Sequence, residues 1–128
     1  MINEVYQEIK DLDAKDFCPI SDAFCKFTEE SGEWIREINK TTGRKIRKET
    51  PEQIHENILE EAADTLQNYL LVCSRFNITI GELMEKVREK NIKWESQIEE
   101  RQRQAAITLI ENGKTKIYQD GKLLGSQG

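Results

Sequence analysis

Two groups of carboxylates recur at helical spacing, and they set the strongest limit on how this chain folds. One is Glu29-Glu30-Ser31-Gly32-Glu33 and the other is Glu60-Glu61-Ala62-Ala63-Asp64. At about 100° per residue, Glu30 and Glu33 lie within about 60° of each other around a helix, as do Glu61 and Asp64. Each pair projects from one helix face. A fold that joins the two faces gathers four carboxylates at one point. Like charges repel strongly away from water, so such a fold needs cations. Hard oxygen ligands suit Mg²⁺, with Mn²⁺ as the alternative. Glu60 lies about 100° from Glu61 and reads as surface.

The 128 residues suffice for one domain with a modest core. A net charge of −5, with 34% of residues charged, argues against a binder of nucleic acid polymers, which carries a basic face. It leaves room for a nucleotide held through metal. No apolar run approaches the ~18 residues of a membrane span. The N-terminal Met1-Ile2-Asn3-Glu4 lacks the basic and apolar character of a signal segment. Cys18, Cys25 and Cys73 are odd in number and lack zinc-ligand spacing, which fits buried thiols in a reducing cytoplasm. His55 is the only histidine, so a His-based triad or zinc site has little material. Two prolines and seven glycines favour long helices over sheets.

The spacing predicts a first helix over 2–12, through Ile2, Val5, Ile9 and Leu12. A stronger one covers 21–40, with Ser21 or Asp22 as N-cap and Phe24, Phe27, Ile35 and Ile38 as its stripe. Residues 41–48 read as a loop. Thr50-Pro51-Glu52-Gln53 is a helix start in which Thr50 caps, Pro51 takes the first helical position and Gln53 closes a capping box. That helix runs to Arg75 or Phe76, and Asn77 suits a left-handed C-terminal residue. Thr79-Ile80-Gly81-Glu82 is a second capping box, opening a helix that passes Trp94 towards Gln104. Beyond it, Ile107–Ile110, Lys114–Gln119 and Lys122–Leu124 are short segments separated by Asn112-Gly113 and Asp120-Gly121. Such dipeptides signal hairpins. The expected organisation is a helical domain over 1–104 and a short β-rich tail over 105–128.

Glu29-Glu30-x-x-Glu33, then 27 residues, then Glu61-x-x-Asp64 resembles the motif of the all-α nucleoside triphosphate pyrophosphohydrolases. The MazG-like proteins are the nearest group, including the small dCTP pyrophosphatases. The context agrees: Phe27-Thr28 leads into the first cluster and Trp34 follows it. Leu66, Tyr69, Leu70 and Leu71 follow Asp64, then comes the short connection Phe76-Asn77-Ile78-Thr79. A last helix carries Glu82-Leu83, Lys86, Lys90-Asn91 and Lys93-Trp94. The resemblance covers roughly residues 20 to 95.

It implies an all-α, four-helix bundle of that family's type, to which the sequence adds the C-terminal β-hairpin appendage. It also implies a homodimer or dimer of dimers, and Mg²⁺-dependent hydrolysis of a nucleoside triphosphate to the monophosphate and pyrophosphate. Carried over residue by residue, Glu30, Glu33, Glu61 and Asp64 are the expected metal ligands. Glu29 or Glu33 is the expected catalytic group that orients the water or takes its proton.

Lys86, Lys90 and Asn91 are expected to meet phosphate oxygens or base edges, with Lys90 and Asn91 competing for one slot of the family's pattern. Asn68, one turn after Asp64, either reads a base edge or ribose or makes a helix–helix hydrogen bond. Trp34, Phe27 and Trp94 are either stacking surfaces for a base or core. Lys40 to Lys48 is either a flap over the triphosphate or a solvated loop. The competing reading is a non-catalytic helical dimer, an adaptor or regulatory module whose acidic clusters are solvated surface.

Overall fold

Helix starts and stops determine the layout. The computed structural model describes residues 1–43 and 48–119, the last six of these, 114–119, by their backbone only. Four helices follow in order: α1 (Ile2–Lys15), α2 (Ile20–Thr42), α3 (Pro51–Arg75) and α4 (Ile80–Gln119). Among the described residues there is no strand, so the chain is all-α. It divides into two units, Met1–Leu83 and Met84–Gly128.

Both expected capping boxes form. The Gln53 N–H donates to Thr50 Oγ1 at 3.2 Å, and the Thr50 N–H donates to Gln53 Oε1 at 2.9 Å. Thr79 and Glu82 repeat the exchange at 3.1 and 3.0 Å. Each box satisfies two of the amides that a helix start leaves without intrahelical partners. Asn77, between the two helices, takes φ 57°, the left-handed conformation that its short polar side chain tolerates.

Two boundaries differ from the sequence reading. α2 opens at Ile20 after Pro19, whose carbonyl accepts from the Asp22 and Ala23 N–H groups. Ser21 and Asp22 are therefore in the first turn and do not cap it. At its other end α2 extends through Thr42, because Thr41 and Thr42 bond back to the Ile38 and Asn39 carbonyls at 2.6 and 3.0 Å. Residues 44–47 of the expected basic loop lie outside the described residues.

The β-hairpin is not supported. Residues 107–110 and 114–119 continue α4, and the third expected strand, 122–124, lies outside the described residues. The physical reason is cooperativity: extending a helix already capped at Thr79 costs far less than nucleating a new element. Ala105 and Ala106 are strong helix formers at the junction. A lone hairpin is marginal in water.

In the first unit, α3 packs against both α1 and α2. Tyr6 and Ile9 of α1, Leu70 and Cys73 of α3, and Ile80 form the buried core, with Leu71, Ile78 and Leu83 packed on it. The Tyr6 hydroxyl donates to the Ile78 carbonyl. Arg75 grips Asp13 through two N–H···O bonds of 2.6 and 2.7 Å. The same guanidinium lies 4.1 Å from the Phe17 ring centre and donates to Cys18 Sγ at 3.8 Å. These contacts tie α1 and the α1–α2 connection to the end of α3. Cys73 is buried and Cys18 half-buried, but Cys25 is exposed, so the reading of all three cysteines as buried thiols holds only in part.

Candidate metal centre

Thr65 joins the two carboxylate helices at the level of the clusters. Its Oγ1 lies 2.8 Å from the Glu61 carbonyl, one turn back on α3, and 3.1 Å from the Glu30 carbonyl on α2. A hydroxyl that reaches both backbones needs the helices in close contact. Ala23, two turns before Glu30 on α2, is buried, with 1% of its surface exposed. Phe27 and Tyr69 fill the same interface, their ring centres 5.8 Å apart.

With the helices held this way, Glu30, Glu33 and Glu61 converge. One carboxylate oxygen from each lies within 4.8 Å of the other two. Glu30 is buried, with 6% of its surface exposed, and Glu33 and Glu61 are half-buried. Lys26 Nζ lies 2.8 Å from Glu30 Oε1. Oε2 of Glu30, Oε2 of Glu61 and the indole Nε1 of Trp34 are buried without a hydrogen-bond partner. Buried polar atoms rarely lack partners in folded proteins, and each such atom costs desolvation energy.

The electrostatics follow from this geometry. Loss of water pushes the Glu61 carboxyl above its ordinary value. The nearby charges of Glu33, Asp64 and Glu30, and a hydrogen bond with Glu33, push it the same way. Lys26 is raised, first by its hydrogen bond to Glu30 and then by the charges of Glu29, Glu30 and Glu33, against a smaller opposing effect of burial. Of the three converging carboxylates, Glu30 is the one that pairs with this ammonium. A hard divalent cation fits this donor set, three carboxylates each offering one oxygen to a common point.

The other expected residues fall into three groups. Asp64 is exposed and stands outside the convergent triad, acting on Glu61 through its charge. Glu29 is exposed as well, about 100° around α2 from Glu30. Asn68 lines a cavity of about 470 Å³ between α1, α2 and α3, together with Ile9, Asp13, Asp22, Lys26 and Leu71. Its Nδ2 donates to the Asp64 carbonyl at 2.8 Å, a bond within α3 rather than between helices. Lys86, Lys90 and Asn91 are exposed on α4 in the second unit, and Lys86 pairs with Glu89 at 3.1 Å. Trp94, also on α4, is 59% exposed.

Two residues at the site escaped the sequence reading. Lys26 stands four residues before Glu30 and Thr65 four residues after Glu61, the spacing that makes neighbours on a helix face. That spacing was the available signal. Compared with known proteins, the chain matches no family model, no curated protein and no solved structure.

Proposed function

We propose that this chain is a Mg²⁺-dependent nucleotide pyrophosphohydrolase, cleaving a nucleoside triphosphate to the monophosphate and pyrophosphate. The observation that carries the reading is the convergence of Glu30, Glu33 and Glu61 within 4.8 Å, with buried oxygens of Glu30 and Glu61 lacking partners. The fold that accompanies it is the four-helix bundle of the MazG-like proteins, as a homodimer or dimer of dimers. The setting is cytoplasmic, in nucleotide-pool housekeeping. No helix among the described residues is long and apolar enough to cross a membrane.

Glu30, Glu33 and Glu61 would hold the ion, with Asp64 adding charge beside them. Held there, a divalent ion would supply a water of lowered pKa and would neutralise phosphate charge. The protein's own groups supply the rest. A water attacks the α-phosphorus, the bond to the bridging oxygen breaks, and pyrophosphate leaves with the electron pair. Glu33 is the better placed acceptor for the water's proton, because it belongs to the triad whereas Glu29 is exposed outside it. Lys26, its pKa raised by Glu30, stays cationic at neutral pH and offers a point charge to a phosphate oxygen. The Trp34 N–H is a buried donor in want of an acceptor. Asn68 is offered as the group that reads the nucleoside from the cavity between α1, α2 and α3.

A second reading, a non-catalytic helical adaptor, is favoured by one observation: apolar side chains such as Ile92 and Trp94 stand exposed along α4. The test is a panel of ribo- and deoxyribonucleoside triphosphates with Mg²⁺, products separated by ion exchange, with Glu61→Gln and Asp64→Asn alongside. Monophosphate plus pyrophosphate, reduced in both variants, supports the enzyme. Diphosphate plus phosphate places the attack elsewhere and removes the proposed reaction. No turnover, with a melting temperature indifferent to Mg²⁺, moves the weight to the adaptor.

A further inference from the structure

The second unit begins at Met84, and there α4 carries Met84, Val87, Asn91, Trp94 and Ile98. These residues are three and four apart in alternation. At about 100° per residue they fall within about 80° of one another, the narrow seam of a coiled coil. All five are exposed. The same register runs back to Ile80, which is buried in the core of the first unit. The heptad therefore continues past the last residue that the first unit uses.

We infer that this seam pairs with a second copy of the chain as a parallel, in-register coiled coil. The argument is self-complementarity. In that register Met84, Asn91 and Ile98 take the a positions and Val87 and Trp94 the d positions. Lys90 then falls at g and Glu95 at e, and a parallel pair places Lys90 of each copy beside Glu95 of the other. Neither Lys90 nor Glu95 has an ion-pair partner among the described residues. The pairs that α4 makes with itself, Lys86–Glu89 at 3.1 Å and Glu100–Arg103 at 2.6 Å, lie at c and f, away from the seam.

Asn91 is the one polar residue in this stretch of seam. At an a position it faces its own copy, where two amides can exchange hydrogen bonds. A single buried Asn at such a position fixes register and strand number at some cost in stability. A foreign helix would have no reason to complement Lys90 and Glu95 of this chain at this spacing. Arg101, at the next d position, ends the seam.

This pairing does not rest on the enzymatic reading. It assigns Lys90 and Asn91 to a different task from substrate contact, so its test reads mass rather than turnover. Sedimentation equilibrium of the full chain over about 1 to 100 µM is expected to show reversible self-association in the range of ordinary weak dimers. Lys90→Glu turns two attractions into two repulsions and is expected to weaken association on the order of tenfold. Glu95→Lys does the same. The double variant Lys90→Glu with Glu95→Lys restores the pair and returns association to within about threefold of the original. Asn91→Val is expected to tighten association and admit higher oligomers. All three sites are exposed, so helicity by circular dichroism stays unchanged. A monomer at the highest concentration overturns the proposal, as does association indifferent to Lys90→Glu or a double variant no better than the singles.

Discussion

Lys26 Nζ lies 2.8 Å from Glu30 Oε1, while the other oxygen of the same carboxylate is buried and has no hydrogen-bond partner. One ammonium thus reaches one oxygen in a group of three converging carboxylates. The remaining negative charge of the triad has no ion-pair partner among the described side chains, and a response to metal and to pH is the expected consequence.

Mg²⁺ is expected to raise the melting temperature more than equal concentrations of monovalent salt, because it acts by binding the native state. At about a hundred times its dissociation constant the gain is ~2.7 kcal/mol, roughly 8–16 °C for a domain of this size. Glu61→Gln is expected to raise the melting temperature of the metal-free protein, since it removes a repelled charge, and to abolish the Mg²⁺ gain. Differential scanning calorimetry of both proteins with and without Mg²⁺ measures both effects. A variant that melts lower and still responds to Mg²⁺ contradicts the assignment.

The pH dependence has a definite sign. Glu61 binds its proton more tightly in the folded protein than at its ordinary 4.5, so the unfolded chain loses that proton first. Through this group, metal-free stability falls as pH rises from 4.5 through the raised folded value, then levels off. Metal needs the ionised carboxylates, so the Mg²⁺ gain changes in the opposite direction and shrinks on acidification through the same window. Lys26 contributes at the other end, with stability lost as pH rises through a folded value above 10.5. Melts from pH 4 to 8 with and without Mg²⁺ should give two curves that diverge as pH rises.

Among the carboxylates, turnover should rank by geometry. Glu30→Gln, Glu33→Gln and Glu61→Gln remove members of the triad, whereas Asp64→Asn removes a charge beside it. Supporting groups around a metal typically cost 10–100-fold, so Asp64→Asn is expected there and the triad variants below it. Steady-state rates on the best nucleotide decide this, and equal loss in all four variants would restore the symmetrical four-ligand site.

Much of this was legible from the chain because the signals are local. Thr50 with Gln53, Thr79 with Glu82, and Asn77 each act within four residues, and each took its expected conformation. The candidate centre was legible as spacing, but spacing alone did not separate the three converging carboxylates from Asp64. Glu61 and Asp64 differ by about 60° around α3, and with helix packing on one side that angle is enough to leave the shorter side chain exposed. Thr65 was hidden because tertiary approach, not periodicity, brings it to the Glu30 carbonyl across helices, whereas Lys26 meets Glu30 on its own helix at the four-residue spacing that could have revealed it. The tail misled because Asn112-Gly113 signals a turn only when the preceding helix has stopped, and here α4 runs on through it.

Thr65→Val keeps the shape of the side chain and deletes the hydroxyl that reaches the Glu30 and Glu61 carbonyls. A loss of about 1 kcal/mol is expected, the usual worth of one intramolecular hydrogen bond. For a domain of this length that is a drop of roughly 3–6 °C. Because the bond spans α2 and α3 at the triad, the variant's Mg²⁺ gain should fall too, which a purely local role would leave unchanged.

Arg75→Leu strands Asp13, whose side chain is only 12% exposed, without its guanidinium. Removing one partner of an enclosed pair is worse than removing both. Arg75→Leu should therefore lower the melting temperature by more than the double change Asp13→Leu with Arg75→Leu. The reverse order in thermal melts would show that Asp13 contributes to stability apart from its pairing with Arg75.

The bonds that anchor α1 also set a schedule. Tyr6 meets Ile78 and Asp13 meets Arg75, partners 72 and 62 residues further along the chain. At synthesis rates of about 5–20 residues per second, the first helix waits on the order of ten seconds before its partners exist. Throughout that interval the apolar side of α1 is uncovered in the nascent chain, within reach of any holdase that recognises short amphipathic segments.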